Sequence, residues 1–461
     1  MPRSVSTTLK PLRAAVVVAA AGSLLVAGCG RSSSPPGTDK PAASSSTSKA
    51  PATSAGKGDF GSLKGICGPG NATGPAQRGV TNSEIRLGTT ADPGAAAAPG
   101  LEQEFFDVAE GFTKWCNDAG GINGRKIVLD KWDAKLFNVG AVTTSACQKD
   151  FMLVGGGNAF DSGGVKPREA CKLGAMPAYA VSPDALKSSL QVLAFPGFLT
   201  KYPIGGIRLL TEAYPKSKTG GVAIGITNLA SLLPTSLKIK EGLTQLGVKV
   251  TAVQAKPPLL ANFRPYAEQL KQDGSIGLYE LGGSDPSTEV QAMKDVGYTP
   301  EFLLLGPPAF TPKTVDEANS IAFPPTYVAL THLPFELSDQ YPVMARAKAI
   351  VSAAVSKPDL GDFTAIAFDA WTLWAKSATA CGSDLTVACV LQKAGSETAW
   401  TAGGMFPPVR TSPTDPGGSP CLIQMRLTTK GWVYDKAVTN PDNGAYNCNP
   451  KNVATVHTYL P

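Results

Sequence analysis

The densest group of residues that could do chemistry is LVGGGNAFDSGGVKPREACKLG, residues 153–174. It reads as a short buried strand, a glycine-rich turn and a helix. Glycines at such a junction let the backbone approach a ligand, and a helix N-terminus offers free N–H groups to an anion. A nucleotide phosphate is the first candidate. The P-loop needs Gly, four residues, then Gly-Lys-Ser/Thr, but Gly157 is followed by Asn158, Ala159, Phe160, Asp161, Ser162, Gly163 and Gly164, with no lysine. The dinucleotide pattern also fails, since Phe160 stands where the third glycine belongs. A carboxylate remains a candidate guest. G-x-S-x-G and HExxH are missing, neither His332 nor His457 is placed for a credible Ser-His-Asp set, and the two are too far apart for a zinc cluster. No cofactor and no metal is expected.

These residues need a frame, and the chain beyond Val80 supplies one. Strands are predicted at EIRLGTT (84–90), KIVLDKW (126–132), FMLVGG (151–156), GVAIGIT (221–227), VKVTAVQA (248–255), SIGLYEL (275–281), EFLLLG (301–306) and TYVALTH (326–332). Helices are predicted at 104–119, 231–246, 263–273, 286–296, 343–355 and 365–380, with Leu233, Leu237 and Leu243 on one apolar stripe. Such alternation implies parallel sheets covered by helices on both faces, and about 380 residues are too many for one sheet. CLIQMRLTTKGWVYD (421–435) breaks the pattern as a hairpin around Thr-Lys-Gly. Trp371 and Trp374, with Phe368 and Leu373, are assigned to a helix core.

Upstream, Arg3, Lys10 and Arg13 flank the apolar run AAVVVAAAGSLLV, whose 13 residues fall short of the roughly 20 that span a bilayer. It reads as a signal peptide. The run ends in VAGC, which resembles the bacterial lipobox and marks Cys29 for lipidation. Residues 30–60 have almost nothing to bury and read as a flexible tether with a reach of roughly 30 Å. Of the net charge of +6, the signal segment carries three units and the tether two, which leaves about +1 on the body. With no basic run, nucleic acid is excluded as a partner. Cys67, Cys116, Cys147, Cys171, Cys381, Cys389, Cys421 and Cys448 are even in number, as expected of disulfides in an exported chain, but spacing alone does not choose their pairing.

GVTNSEIRLGTT (79–90) followed by WCNDAGGINGRKIVLDKWDA (115–134) resembles the opening of the type I periplasmic binding proteins of the branched-chain amino acid (leucine/isoleucine/valine) binding family. Asn117, Gly120, Gly121, Ile122, Asn123, Gly124 and Arg125 carry the match, as a helix stop, a tight turn and a return strand. NFRPYAEQLKQDGSIGLYELGG (262–283) and DVGYTPEFLLLG (295–306) look like the family's second-lobe units. The resemblance implies an α/β fold of two doubly wound parallel-sheet lobes joined by three crossovers, near 195–201, 331–335 and 400–405, with a ligand in the cleft. On this reading residues 1–28 are the lipoprotein signal peptide and 29–60 the tether. Residues 61–198 and 333–400 build the N-terminal lobe, and 199–332 and 401–461 the C-terminal lobe. The resemblance supports pairing Cys147 with Cys171, on helices flanking the third strand. Cys381 with Cys389 closes a small local loop, and Cys67 with Cys116 and Cys421 with Cys448 are the remaining pairs. His332, at a crossover, is assigned a structural role.

By the same resemblance, the loops after the third and fourth strands receive a ligand carboxylate. Those loops carry Gly157, Asn158 and Phe160, then Ala180 and Ser182. Asn158 and Ser182 are the expected donors, Gly157 gives close approach and Phe160 an apolar wall; Asn158 reads equally as an Asx-turn residue. Asp92, after the first strand, faces the cleft or serves the turn before Pro93. In the second lobe, amino-acid binders of the family carry a glutamate after a Gly-Pro pair to receive the ligand ammonium, where this chain has Pro308. A buried ammonium without a carboxylate is costly, so Glu280 or Asp92 takes the role, or the ligand has no ammonium. Glu280 reads otherwise as an exposed strand-end charge. Tyr279 matches the family's strand-end aromatic loosely, and Asn228 is a further candidate.

The expected function is that of a monomeric solute-binding lipoprotein of an ABC importer. It would sit lipid-anchored on the outer face of the bacterial cytoplasmic membrane, close around a small amino acid-like or carboxylate-bearing solute and deliver it to a permease. A ligand sensor of the same fold, signalling to a partner protein, is the alternative. An extracellular hydrolase is the least supported reading.

Overall fold

The computed structural model describes residues 56–457 apart from 97, 196, 198, 229–231, 257–261, 283–285 and 412–417. The signal segment, Cys29 and the tether up to residue 55 lie outside the described residues. Strands β1 (Glu84–Ala91), β2 (Lys126–Asp133), β3 (Met152–Val154) and β4 (Gly174–Met176) form a parallel sheet in the order β2-β1-β3-β4. After β5 (Lys201–Pro203) come β6 (Val222–Thr227), β7 (Val250–Lys256), β8 (Gly277–Leu281), β9 (Phe302–Leu305) and β10 (Thr326–Leu330). With β11 (Ile423–Thr428) and β12 (Gly431–Tyr434) they make a second sheet, ordered β12-β11-β10-β9-β8-β6-β7. It is parallel from β6 to β10, and the terminal hairpin is antiparallel. β13 (Val453–Thr455) pairs with β5.

The predicted strands form. β4, β5 and β13, not among them, have three residues each, too few to show a period. The chain passes three times between the groups of elements around the two sheets. It leaves after β4, returns after β10 to place the helices Pro342–Ser352 and Asp362–Cys381 against the helix Gln103–Ala119, and goes back for β11. In each sheet the winding direction reverses once, between β1 and β3 and between β6 and β8. At such switch points the loops at the carboxyl ends of the strands diverge and open a crevice for a ligand.

The AGGINGR motif is a joint. The helix Gln103–Ala119 stops at Gly120 (φ 119°) and Gly121 (φ 81°), and a Cβ on Gly121 would lie 2.1 Å from the Arg125 carbonyl oxygen. Asn117 then clasps β2: its amide donates to the Ile127 carbonyl at 2.9 Å and accepts from the Ile127 N–H at 2.8 Å. The chain thereby returns as β2 in register with β1. All four expected disulfides are present, Cys67–Cys116, Cys147–Cys171, Cys381–Cys389 and Cys421–Cys448. Phe368, Trp371, Leu373 and Trp374 are fully buried, and the buried His332 ring is held by the Leu333 carbonyl and the Asp362 carboxylate.

Two expectations need correction. The helix Leu233–Gln245 buries Pro234, Lys238, Ile239 and Leu243, while Leu237 is 42% exposed. Gly242 sets that rotation, since it approaches Ile204 so closely that a Cβ would lie 2.6 Å from an Ile204 methyl. The tether also ends earlier than composition indicates. Phe60 is fully buried and stacked on Phe368 with centroids 5.5 Å apart, and the Trp115 indole N–H donates to the Lys57 carbonyl at 3.0 Å. One aromatic side chain fastens an otherwise polar stretch.

Candidate functional site

At the first switch point, buried acids tie the loops together. Asp92 accepts from the N–H of Leu136 at 2.7 Å and of Ala159 at 3.3 Å. Asp161 accepts from the N–H of Val181 at 2.8 Å and of Ser182 at 3.1 Å, which joins the loops after β3 and β4. Ser182 caps the short helix Pro183–Lys187, its hydroxyl accepting from the Ala185 N–H at 3.2 Å. Asp92 and Ser182 thus serve the architecture of the loops. Asn158 differs: it is 4% exposed and its Nδ2 has no hydrogen-bond partner among the described residues. Leaving such a donor unmet costs about 1–3 kcal/mol. Gly157 is required where it stands, because a Cβ would lie 2.5 Å from the Tyr179 ring. Phe160 and Ala180 are half-buried. The Phe160 ring lies 5.1 Å from that of the exposed Phe137, an apolar rim beside the loop.

Sequence reasoning missed Glu102 and Tyr179. Glu102 heads the helix Gln103–Ala119 with φ 63° and is 2% exposed; its Oε1 accepts from the Tyr179 hydroxyl, its carboxyl meets the Asp92 side chain, and no donor among the described residues reaches its Oε2. Burial, then the nearby Asp92, hold its carboxyl well above the usual range. The neighbouring Glu104 is pushed by burial to about 8. An acid beside the first helical residue is commonplace in sequence, and only the contact with Tyr179 sets this one apart.

At the second switch point, Glu280 is neither an exposed charge nor a free carboxylate. The Lys256 ammonium lies 2.5 Å from its Oε2 and also bridges to Glu289, while the Tyr266 hydroxyl donates to Glu280 Oε1. Burial opposes the lysine charge, but the two carboxylates outweigh it and raise the Lys256 pKa. Gly225, in the middle of β6, makes room for this cluster: a Cβ there would lie 2.1 Å from the Tyr266 hydroxyl and 2.2 Å from Glu280 Oε1. A glycine inside an otherwise β-branched strand is the sequence signal that was available.

Tyr279 alternates to the opposite face of β8, where its hydroxyl meets Tyr202, so it leaves the group. Asn228 is exposed, its N–H donating to the Lys256 carbonyl at 2.6 Å. Pro308, exposed in the turn Pro307–Ala309, borders a cavity of about 30 Å³ lined also by Glu280, Glu289, Leu305 and Gly306. That is room for roughly one water. A larger groove of about 510 Å³ runs among Asn262, Arg264, Gln291, Asp295 and Ser320, and none of the candidate residues lines it.

The two strand-end regions are linked by contact. A Cβ on Gly361 would lie 2.5 Å from the Phe310 carbonyl oxygen, so the turn after β9 meets the start of the helix Asp362–Cys381. Phe363 of that helix packs on Phe105 and Tyr179, with centroids 5.0 and 5.9 Å away. Through Gly361 and Phe363, the start of this helix therefore connects Tyr179, the partner of Glu102, with the loop that carries Pro308.

Residues 229–431 match the periplasmic binding protein family. Among solved structures, the chain is similar to a fatty acid ABC transporter substrate-binding protein from Thermomonospora curvata, with a TM-score of 0.67 and 15% identity over 83% of this chain and 97% of that one. It is similar to a leucine-binding protein from Thermotoga maritima, at TM-score 0.61 and 14% identity over 76% and 97% of the chains. A solute-binding protein from R. palustris in complex with 4-hydroxybenzoate gives 0.60 and 15% over 77% and 96%. A comparison with curated proteins finds no match. With its two switch-point sheets, the chain has the fold of the type I periplasmic binding proteins, and its residues 229–431 match the periplasmic binding protein family.

Proposed function

We propose that this chain is an extracytoplasmic solute-binding lipoprotein of an ABC importer. Anchored through a lipid on Cys29 outside the cytoplasmic membrane, it closes its two lobes around a small amino acid-like or carboxylate-bearing solute and hands it to a permease. The observation that carries this reading is the unpartnered, buried amide of Asn158 at the first switch point, at the loop position where a carboxylate is expected. A donor with no partner at the ligand edge of a doubly wound sheet is suited to an acceptor brought from outside. The similar structures, of proteins for a fatty acid and leucine and of one in complex with 4-hydroxybenzoate, support a solute with a carboxylate.

The test is calorimetric titration of the full chain with amino acids and simple carboxylates, repeated on Asn158→Ala. Losing a hydrogen bond to a charged acceptor should weaken binding about 10- to 100-fold. Saturable binding that is indifferent to Asn158→Ala would refute this site, and turnover of a bound ester, peptide or glycoside would refute the receptor reading itself.

A further inference from the structure

Glu102 has no part in the reading above. Its backbone lies at φ 63° and ψ 19°, a left-handed conformation that costs a non-glycine residue about 1–2 kcal/mol. Among the described residues no donor reaches its buried Oε2, the carboxyl sharing only a side-chain contact with the acid Asp92, and the Asn158 Nδ2, one residue before the Ala159 N–H that binds Asp92, has no hydrogen-bond partner. Backbone strain and unmet polar atoms, together at the carboxyl edge of a doubly wound sheet, mark a place for a bound group.

The groups around Glu102 determine which chemistry belongs there. Asp92 faces it from the end of β1, Tyr179 from the segment after β4, and Glu104 from its own helix. Asp161 lies beyond Tyr179, and Asp107, Asp359 and Asp362 stand behind Glu104. None of these is basic. An anion at Oε2 would meet like charge, whereas a cation would meet an acceptor and the aromatic wall of Tyr179, Phe105 and Phe363.

We propose that Glu102 Oε2 receives the ammonium-bearing end of the solute while the Asn158 amide donates to an acceptor on the same molecule, so that the first sheet reads both ends. This rests on the solute-receptor reading. It also carries a proton balance. Burial and Asp92 favour the protonated acid in the free protein, and an ammonium can be accepted fully only when that proton leaves for solvent. Amine binding therefore releases a proton and tightens as pH rises, and a ligand held by the protonated acid shows the opposite slope.

The test uses the full chain and two sets of probes, each on one carbon skeleton: leucine, 4-methylpentanoate and 3-methylbutylamine, then phenylalanine, 3-phenylpropanoate and 2-phenylethylamine. Calorimetry from about pH 5.5 to about pH 8, in buffers of different ionisation heat, reads affinity and proton release. An amino acid is expected to bind at least about tenfold tighter than its amine-free partner, to gain up to about tenfold per pH unit, and to release a proton. Glu102→Gln should abolish the slope and the release and remove the preference for the amine. If that variant does not fold, the slope and proton release of the unmodified chain decide the matter. Equal affinity for the amine-free acids, a reversed slope, or a Gln variant that keeps preference and slope would overturn the proposal and leave the receptor reading standing. Binding of no probe would overturn both.

Discussion

The carboxyl ends of the two sheets bury their charges in different ways. In the second sheet, Glu280 and Glu289 share one lysine, and a tyrosine hydroxyl completes the shell. In the first, Asp92, Glu102 and Asp161 are hydrogen-bonded by backbone N–H groups and a tyrosine and make no salt bridge among the described residues, Arg168 acting on Asp161 only through its field. A carboxylate paired to an ammonium is held in place by the opposite charge. In the first sheet burial raises the pKa of Glu102 and Asp161 in spite of those donors, and a carboxyl that burial keeps protonated becomes a full acceptor when a cation arrives. The second end is already satisfied, and the first is poised.

The largest effect should follow from breaking the satisfied end. Lys256→Met leaves two buried carboxylates without their cation and is expected to cost about 3–5 kcal/mol in urea unfolding. Next in size is pH. The first group of elements holds Glu104 near 8 and Asp150 and Asp369 near 7, each raised chiefly by burial. The folded chain keeps these protons after the unfolded chain has released them near pH 4, so stability falls as pH rises from about 4 through 7 to 8. A fully buried group such as Asp369 should account for about 2–3 kcal/mol between about pH 5 and pH 8. The Lys256 pairing, its pKa raised, persists below the unfolded lysine value. Hydrogen exchange should therefore loosen β1 to β4 over this range more than β6 to β10.

The finest test is a matched pair of hydroxyl deletions. Tyr266→Phe removes a donor to an ionised, salt-bridged carboxylate and should cost about 1.5–3 kcal/mol, whereas Tyr179→Phe removes one from a neutral acid and should cost about 0.5–1.5 kcal/mol. Equal costs, measured by chemical denaturation at neutral pH, would erase the distinction between the two ends.

The frame of this comparison was legible in the sequence and its charges were not. Alternation of runs and the AGGINGR joint yield both sheets, because they depend on neighbours in the chain. The Lys256–Glu280 pair depends on β7 and β8 lying on either side of β6, and Glu102 meets a tyrosine 77 residues away. Leu237 shows the same limit: periodicity places it on the apolar stripe, but the close approach of Gly242 to Ile204 decides which side is covered. Asn158 could be singled out by its loop, although its lack of a partner could not.

Phe60 has a mechanical consequence. The chain enters its folded body pinned twice, by that ring against Phe368 and by the bond from Cys67 to Cys116 in the helix Gln103–Ala119. A pull on the chain upstream of residue 56 is borne by the helices of the first sheet and reaches the second through the three connecting segments and the contact of Gly361 with Phe310. Whatever holds the N-terminal end therefore loads the first sheet before the second.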